Sequence, residues 1–260
     1  MNQLDNIFLR RKGLIAYLPV GYPSLSATLD LIPLLVKHGC DVVELGIPFS
    51  DPMADGTTIQ YASQVALHNG ITSRICLETV RKLKTVVDIP LLFMSYINPP
   101  YHFGFDDFCR ESAVAGVSAF ILPDVSLEEG EIFEKIIIGH GMYMIHMVAP
   151  TSTPERLRMI GKRAQGFIYM VALAGVTGAR QELPALEQYI GRVRNVTKTP
   201  LCVGFGISTP EQAGYVAGMA DGVIIGSRLI QLIDEDSTYG KLVQFIRKTR
   251  DCIDNPVGQK

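Results

Sequence analysis

The sequence predicts a protein of the α/β class, a single (β/α)8 TIM barrel over residues 1–260 with an extra N-terminal helix. Short apolar runs alternate with longer amphipathic segments along the whole chain, and no change of composition marks a domain boundary. A barrel of this kind commonly takes about 250 residues, which fits the length of 260. An open doubly wound sheet shows the same alternation and is the alternative fold.

The strands are predicted from runs that are almost continuously apolar, as is typical of parallel strands covered on both faces. Their number, eight, favours closure into a barrel. The runs are Leu14–Val20, Asp41–Gly46, Pro90–Ser95, Ser118–Leu122, Met142–Val148, Phe167–Ala172, Pro200–Gly204 and Gly222–Gly226.

The segments between these runs carry helix patterns and helix start signals. Apolar residues recur at helical spacing in Ser26–His38, where Pro33 predicts a kink or a late start. The tetrapeptides 126–129 and 209–212 both have the pattern of a capping box, which marks the beginning of a helix.

Composition excludes several classes of function. A net charge of −2 with only short basic runs argues against nucleic-acid binding, and no apolar stretch approaches the about 18 residues of a membrane span. The five cysteines are widely spaced and odd in number, which predicts reduced thiols in a cytoplasmic protein. The five histidines form no pair at ligand spacing, so we expect no metal.

The second strand contains a carboxylate, Glu44, inside an apolar run. It could be a structural residue neutralised by a cation across the barrel, but the predicted strands contain no arginine or lysine. A partly desolvated glutamate with a raised pKa suits general acid/base catalysis. Asp51 and Asp55 follow in the next loop; each alone is ordinary turn chemistry, and only their position beside Glu44 suggests an acid cluster.

Glycine-rich segments follow the last three strands, at 175–178, 204–208 and 226–228. One such segment is weak evidence, because tight turns explain most of them. Three on adjacent strands bring backbone N–H groups and helix N-termini to one end of the barrel, which predicts a phosphate site.

Missing residue types narrow the chemistry. No predicted strand carries the lysine of a Schiff-base aldolase, and His146 is the only histidine on a strand, too few for a metal-assisted aldolase. What remains is a phosphorylated small molecule handled by carboxylate acid/base chemistry without a cofactor. Another kind of phosphate-binding barrel, such as an isomerase, is a weaker alternative. Such enzymes tend to use lysines or paired aspartates on the strands, and the predicted strands of this sequence lack them.

Several motifs resemble the tryptophan synthase alpha-subunit family along essentially the whole chain. They are VELGIPFSDPMADG (43–56), GVTGAR (175–180), VGFGIS (203–208) and GVIIGS (222–227). The resemblance implies cleavage of indole-3-glycerol phosphate to indole and glyceraldehyde 3-phosphate for tryptophan biosynthesis, a retro-aldol reaction without metal or cofactor.

The resemblance also implies roles for individual residues. Glu44 corresponds to the general acid/base that protonates indole C3 and takes the glycerol hydroxyl proton, and Asp55 to the carboxylate at the indole N–H. Asp51 becomes part of the loop structure. The implied substrate-binding residues are Tyr169, Thr177, Gly178, Phe205, Gly206, Gly226 and Ser227.

The implied partner is a beta subunit that carries pyridoxal phosphate and receives indole, in an α2β2 heterotetramer. The segment Asn98–Gly104 would lie toward that interface. This chain itself would hold no cofactor.

The sequence departs from the family pattern in four places. Ala172–Ala174 replace polar residues of the lid, Thr57 and Tyr22 stand where proline and aspartate are frequent, and Arg228 follows Ser227 where a small residue is usual. The apolar lid leaves a second hypothesis, an alpha subunit that cleaves poorly and acts mainly as an activator of the beta subunit. Arg228 could strengthen anion binding.

Overall fold

The computed structural model describes residues 2–172, 183–204 and 206–256. Its sheet consists of parallel strands in the order β5-β4-β3-β2-β1-β9-β8-β7-β6. The strands are β1 Gly13–Pro19, β2 Val42–Gly46, β3 Leu91–Met94, β4 Val117–Ile121, β5 Tyr143–Ile145, β6 Met147–Val148, β7 Ile168–Val171, β8 Leu201–Gly204 and β9 Gly222–Ile225.

The helices fill the segments between strands. A short 3-10 helix, Gln3–Asn6, precedes α1 and supplies, with it, the extra N-terminal helix. The α-helices are α1 Ile7–Arg10, α2 Leu25–Lys37, α3 Thr57–His68, α4 Ser73–Leu83, α5 Asn98–Phe103, α6 Phe105–Ala115, α7 Glu131–Gly139, α8 Pro154–Arg163, α9 Leu183–Arg194, α10 Pro210–Ala217, α11 Ser227–Glu235 and α12 Gly240–Asp254.

The fifth predicted strand is divided at His146, which differs from the unbroken run expected from the sequence. Its first part, β5, pairs with β4, and its second part, β6, pairs with β7, so the two ends of the sheet meet there. The His146 side chain is buried and its Nε2 lies 3.2 Å from Glu134 Oε1 of α7. Its carbonyl still accepts a hydrogen bond from Tyr169 N at 2.9 Å, which keeps the barrel wall continuous.

Two helix predictions need correction and one is confirmed. The late start predicted at Pro33 is wrong: α2 begins at Leu25 and includes Pro33, because Leu31, Ile32 and Leu35 are buried and their packing offsets the lost backbone hydrogen bond. The capping box at 209–212 is formed in full. The segment 126–129 is a turn, and α7 begins only at Glu131.

Two tyrosines fill the barrel interior over glycine positions. A Cβ atom at Gly46 would overlap the Tyr17 hydroxyl, and one at Gly204 would overlap the Tyr169 hydroxyl. Gly226 also faces Tyr17, whose Cδ1 would lie 3.0 Å from a Cβ there. The glycines of these strands therefore make room for aromatic rings that reach toward the carboxyl ends of the strands.

The opposite end of the barrel is tied by a buried ion pair. Arg250 of α12 donates from Nη1 to Asp41 Oδ2 at 2.9 Å, and Leu14 N of β1 donates to the same oxygen at 2.8 Å. Arg11 Nε donates to the other carboxylate oxygen at 2.8 Å. Asp41 and Arg250 are both buried, whereas Arg11 reaches the cluster from a half-exposed position, so the cluster joins the N-terminal segment, the first two strands and the last helix.

We expect Asp41→Ala to lower the free energy of unfolding in urea by about 3 kcal/mol, because the buried Arg250 guanidinium keeps only one carboxylate partner, Asp254, and the buried Leu14 N–H loses its acceptor. The control is Glu111→Ala, which breaks the more exposed pair with Arg81 and should cost less than about 1 kcal/mol. Equal losses in the two variants would show that the Asp41 cluster is not a stabilising tie.

Candidate active site

Glu44 lies in the middle of β2, where every residue is buried. Its side chain has no exposed surface, and neither carboxyl oxygen has a hydrogen-bond partner among the residues that the structure describes. Burial raises the pKa of Glu44 from 4.5 to about 8 because the charged form loses its hydration. At neutral pH the side chain is therefore mainly a carboxylic acid with a proton to donate.

Asp55 lies in the loop after β2, and Tyr96 at the end of β3 fixes that loop. The Tyr96 hydroxyl accepts a hydrogen bond from Ala54 N at 2.8 Å and donates one to the Asp55 carboxylate. The Phe49 ring packs on Tyr96 with centroids 5.6 Å apart. Burial raises the pKa of Asp55 to about 6, and the Tyr96 hydrogen bond opposes part of that rise.

The two acids therefore differ in their protonation near neutral pH. Glu44 holds its proton up to about pH 8, whereas Asp55 has lost its proton above about pH 6. Two carboxyl groups whose surroundings separate their pKa values can divide the roles of acid and anion.

A cavity of about 330 Å3 opens at the carboxyl ends of the strands, a volume in the range of small-ligand sites. It brings together five predicted site residues: Asp55, Tyr169, Gly206, Gly226 and Ser227. The other lining residues are Tyr17, Gly56, Ile59, Met94, Ile207, Ser208, Ile224, Arg228 and Gln231. The fully enclosed Glu44 lies next to this cavity, because its ladder partner on β1 is Tyr17, which lines the cavity. Burial raises the pKa of both Tyr17 and Tyr169, and the charges of Asp55 and Glu44 raise each further.

One end of the cavity is suited to an anion. Helix α11 begins there at Ser227, and its preceding residue, Gly226, provides no side chain to cap the first N–H groups. Gly206 on the neighbouring strand end has φ +78°, a conformation that favours glycine. The positive end of a helix and uncapped N–H groups are the usual features of a phosphate site.

Arg228 adds a positive charge to this end of the cavity. Among the described lining residues it is the only cationic side chain. Its Nη1 donates to Glu235 Oε1 at 2.8 Å and to Gln231 Oε1 at 3.3 Å, which holds the guanidinium along α11.

Three of the lining residues that were not predicted from the sequence lie on strands, and three predicted site residues cannot be placed in the cavity. Tyr17, Met94 and Ile224 lie on strands, and their apolar surroundings gave no sign that they face a ligand. The predicted residues Thr177, Gly178 and Phe205 lie outside the described residues, as do positions 173 and 174 of the lid.

The described residues contain no cluster of metal-binding side chains and no helix that could span a membrane. Within residues 2–172, 183–204 and 206–256, histidine, cysteine, aspartate and glutamate form no group of three or more that could hold a metal ion. None of the described helices is long and apolar enough to cross a membrane.

Comparison with known proteins gives the family. The family model described as tryptophan synthase alpha chain matches residues 7–253. The chain belongs to the tryptophan synthase alpha chain family. This membership confirms the resemblance seen in the motifs and, with it, the predicted role as a lyase of tryptophan biosynthesis. The family name also implies a beta-subunit partner.

Individual relatives agree over nearly the full length. The tryptophan synthase alpha chain of Dehalococcoides mccartyi is 48% identical over 255 residues, which cover 98% of this chain and 100% of the relative. That of Chloroflexus aurantiacus is 44% identical, with coverage of 98% and 100%. The crystal structure of the Legionella pneumophila alpha chain has a TM-score of 0.91 at 35% identity and covers 100% of both chains. This structural match confirms the prediction of a TIM barrel.

Replacing Tyr96 by phenylalanine should raise the pKa of Asp55 above about 6, because the donor that stabilises its charged form is lost. Carbon-13 NMR of the labelled aspartate carboxyl groups measures the change. Tyr101→Phe, at an exposed position of α5, is the control and should leave the Asp55 titration unchanged. An unchanged titration in Tyr96→Phe would contradict the arrangement.

Proposed function

We propose that this chain cleaves indole-3-glycerol phosphate to indole and glyceraldehyde 3-phosphate, with Glu44 as the general acid/base and Asp55 as the carboxylate at the indole N–H. The observation that carries the assignment is the contrast between the two acids, one enclosed and neutral, the other half-buried and ionised. A retro-aldol reaction of an indole needs a protonated carboxylic acid and an ionised carboxylate in one site.

The proton balance supports this assignment. Glu44 gives its proton to indole C3 and becomes a carboxylate, while positive charge develops on the ring and is stabilised by Asp55. The Glu44 carboxylate then takes the proton of the glycerol hydroxyl next to the ring as the carbon–carbon bond breaks. Indole and the aldehyde leave, and Glu44 has regained the proton with which it began.

Substrate binding follows from the shape of the cavity. Gly206, Gly226 and Ser227 would hold the phosphate at the end of the cavity near α11, and Tyr169 would line the indole and glycerol part. Thr177, Gly178 and Phe205 complete the proposed set by their positions in the family motifs. The chain would use no cofactor of its own.

The proposed partner surface is formed by the loops at the same end of the barrel. Met53, after β2, is 91% exposed, and Tyr101, within the segment 98–104, is 66% exposed. Large apolar side chains exposed on neighbouring loops are typical of a protein interface. We infer that they contact a beta subunit carrying pyridoxal phosphate, in an α2β2 heterotetramer. The five free cysteines support a cytoplasmic location.

Glu44→Gln should lower turnover of indole-3-glycerol phosphate by several powers of ten, because glutamine has nearly the same shape but no proton to transfer. Asp51→Asn changes an exposed loop carboxylate outside the cavity lining and is the matched control, expected to keep most activity. The measurement is steady-state formation of indole with and without a beta subunit. Turnover that survives in Glu44→Gln would show that another group carries the proton.

The same assay tests the second hypothesis from the sequence. If the unchanged chain stimulates a beta subunit but forms no indole above background in either condition, it is an activator and not a lyase. Turnover in the unchanged chain excludes that reading, despite the apolar lid residue Ala172.

The pH dependence of kcat/KM should be bell-shaped in the unchanged chain. Activity falls below about pH 6 as Asp55 gains a proton and falls above about pH 8 as Glu44 loses one. In Asp55→Asn the acidic limb should disappear and the alkaline limb should persist. A profile without an alkaline limb near pH 8 would contradict the role of protonated Glu44.

A further inference from the structure

Tyr17 of β1 is a buried tyrosine whose hydroxyl group makes no hydrogen bond to any described residue. It is 8% exposed and lines the main cavity. It also lines a small recess formed with Phe49, Asp55 and Tyr96. Among the described residues, its hydroxyl has no hydrogen-bond partner.

Glu44 is the complementary unsatisfied group on the neighbouring strand. Tyr17 and Glu44 are paired across the β1–β2 ladder, so both side chains point into the barrel. The Tyr17 hydroxyl lies against Gly46, two residues beyond Glu44 on the same strand. Among the described residues, a hydroxyl donor of β1 without a partner thus lies over the strand that carries the unpaired Glu44 carboxyl group.

The reaction creates a need for such a donor. When Glu44 gives up its proton it becomes an anion enclosed by the barrel interior, and an unpaired buried carboxylate is strongly disfavoured. A hydrogen bond from a neutral hydroxyl stabilises the charged form without adding a second charge.

The structure assigns to Tyr17 the role of a positioning residue that donates a hydrogen bond to the Glu44 carboxylate after the proton has moved to the substrate. This role rests on the proposed function, because the Glu44 anion forms within that reaction. The bond is made in the charged state and not in the resting acid, so its effect falls on the transition state and on Glu44 titration.

The other titratable groups facing Glu44 are less suited to this role. Tyr169 of β7 places its hydroxyl against Gly204 on β8, whereas the Tyr17 hydroxyl lies against Gly46 on the same strand as Glu44. The Cys202 thiol is a weak donor, and ionised Asp55 is only an acceptor. On β3, the ladder neighbour of Glu44 is the apolar Leu92.

Tyr17→Phe tests the assignment by removing one oxygen atom and keeping the ring that packs over Gly46 and Gly226. We expect kcat to fall by about tenfold or more, the usual effect of losing a hydrogen bond to a charged group, while KM changes by less than about twofold. The alkaline limb of kcat/KM should move up by about one pH unit, because ionised Glu44 has lost its donor. A variant that only loosened packing would lower activity without moving this limb.

Two comparisons make the result decisive. Tyr215→Phe, on α10 where the hydroxyl contacts Glu187 at 3.2 Å, is the matched control and should change neither kcat nor the limb. Added to Glu44→Gln, Tyr17→Phe should cause no further loss, because there is no carboxylate left to stabilise. A further tenfold loss in that background, or an unmoved alkaline limb, would overturn the assignment.

Carbon-13 NMR of labelled glutamate carboxyl groups, recorded without substrate, separates this inference from the proposed function. The Glu44 midpoint should rise in Tyr17→Phe relative to the unchanged chain. If the unchanged chain shows no lyase activity, the proposed function fails and the catalytic role of Tyr17 fails with it. If activity is present and the midpoint does not move, only the Tyr17 assignment is wrong.

Discussion

Glu44 is enclosed by β2 and the barrel interior, and no group of the described residues forms a hydrogen bond with either of its carboxyl oxygens. Such a group is tolerated because it stays protonated, and the same desolvation makes it a proton donor at neutral pH. Asp55, only partly buried and hydrogen-bonded to Tyr96, stays ionised under the same conditions. The chemistry proposed for the site follows from this difference in environment between two residues of the same chemical type.

The barrel separates the residues that stabilise it from those that act on substrate. Asp41, Arg250 and Arg11 form hydrogen-bonded ion pairs at the beginning of the first strands, whereas Asp55, Gly226 and Ser227 lie at the ends where the strands leave the barrel. This division is general in barrels of this architecture, since loops after the strands can vary without loss of the core. In this chain it allows an enclosed acid to be held by apolar packing alone.

Much of the fold was predictable because buried parallel strands have a simple signal, a short apolar run followed by a helix. The enclosed state of Glu44 followed from the absence of arginine and lysine on the strands, and the convergence of Gly206, Gly226 and Ser227 followed from their places at strand ends. Other features depend on tertiary contacts. The division of a strand at His146 depends on Glu134 of α7, and the ion pair of Asp41 depends on Arg250, 209 residues away.

The position of the Tyr17 ring within the site could likewise not be predicted from the sequence. Its residue type fits a buried strand, and nothing in the sequence tells that its ring lies over Gly46 and Gly226. That placement depends on strand register, which is decided when the whole barrel closes. Thr177, Gly178 and Phe205 are assigned from their places in the family motifs.

The most direct test of the account is the pH dependence of folding stability in the unchanged chain and in Glu44→Gln. A carboxyl group whose pKa rises from 4.5 to about 8 on folding stabilises the protein below the lower value and loses that contribution as the pH rises to the upper one. Urea unfolding should show the unchanged chain losing stability relative to Glu44→Gln over this range, on the order of 1.4 kcal/mol per pH unit. Parallel curves for the two proteins would mean that Glu44 is not held as a buried neutral acid.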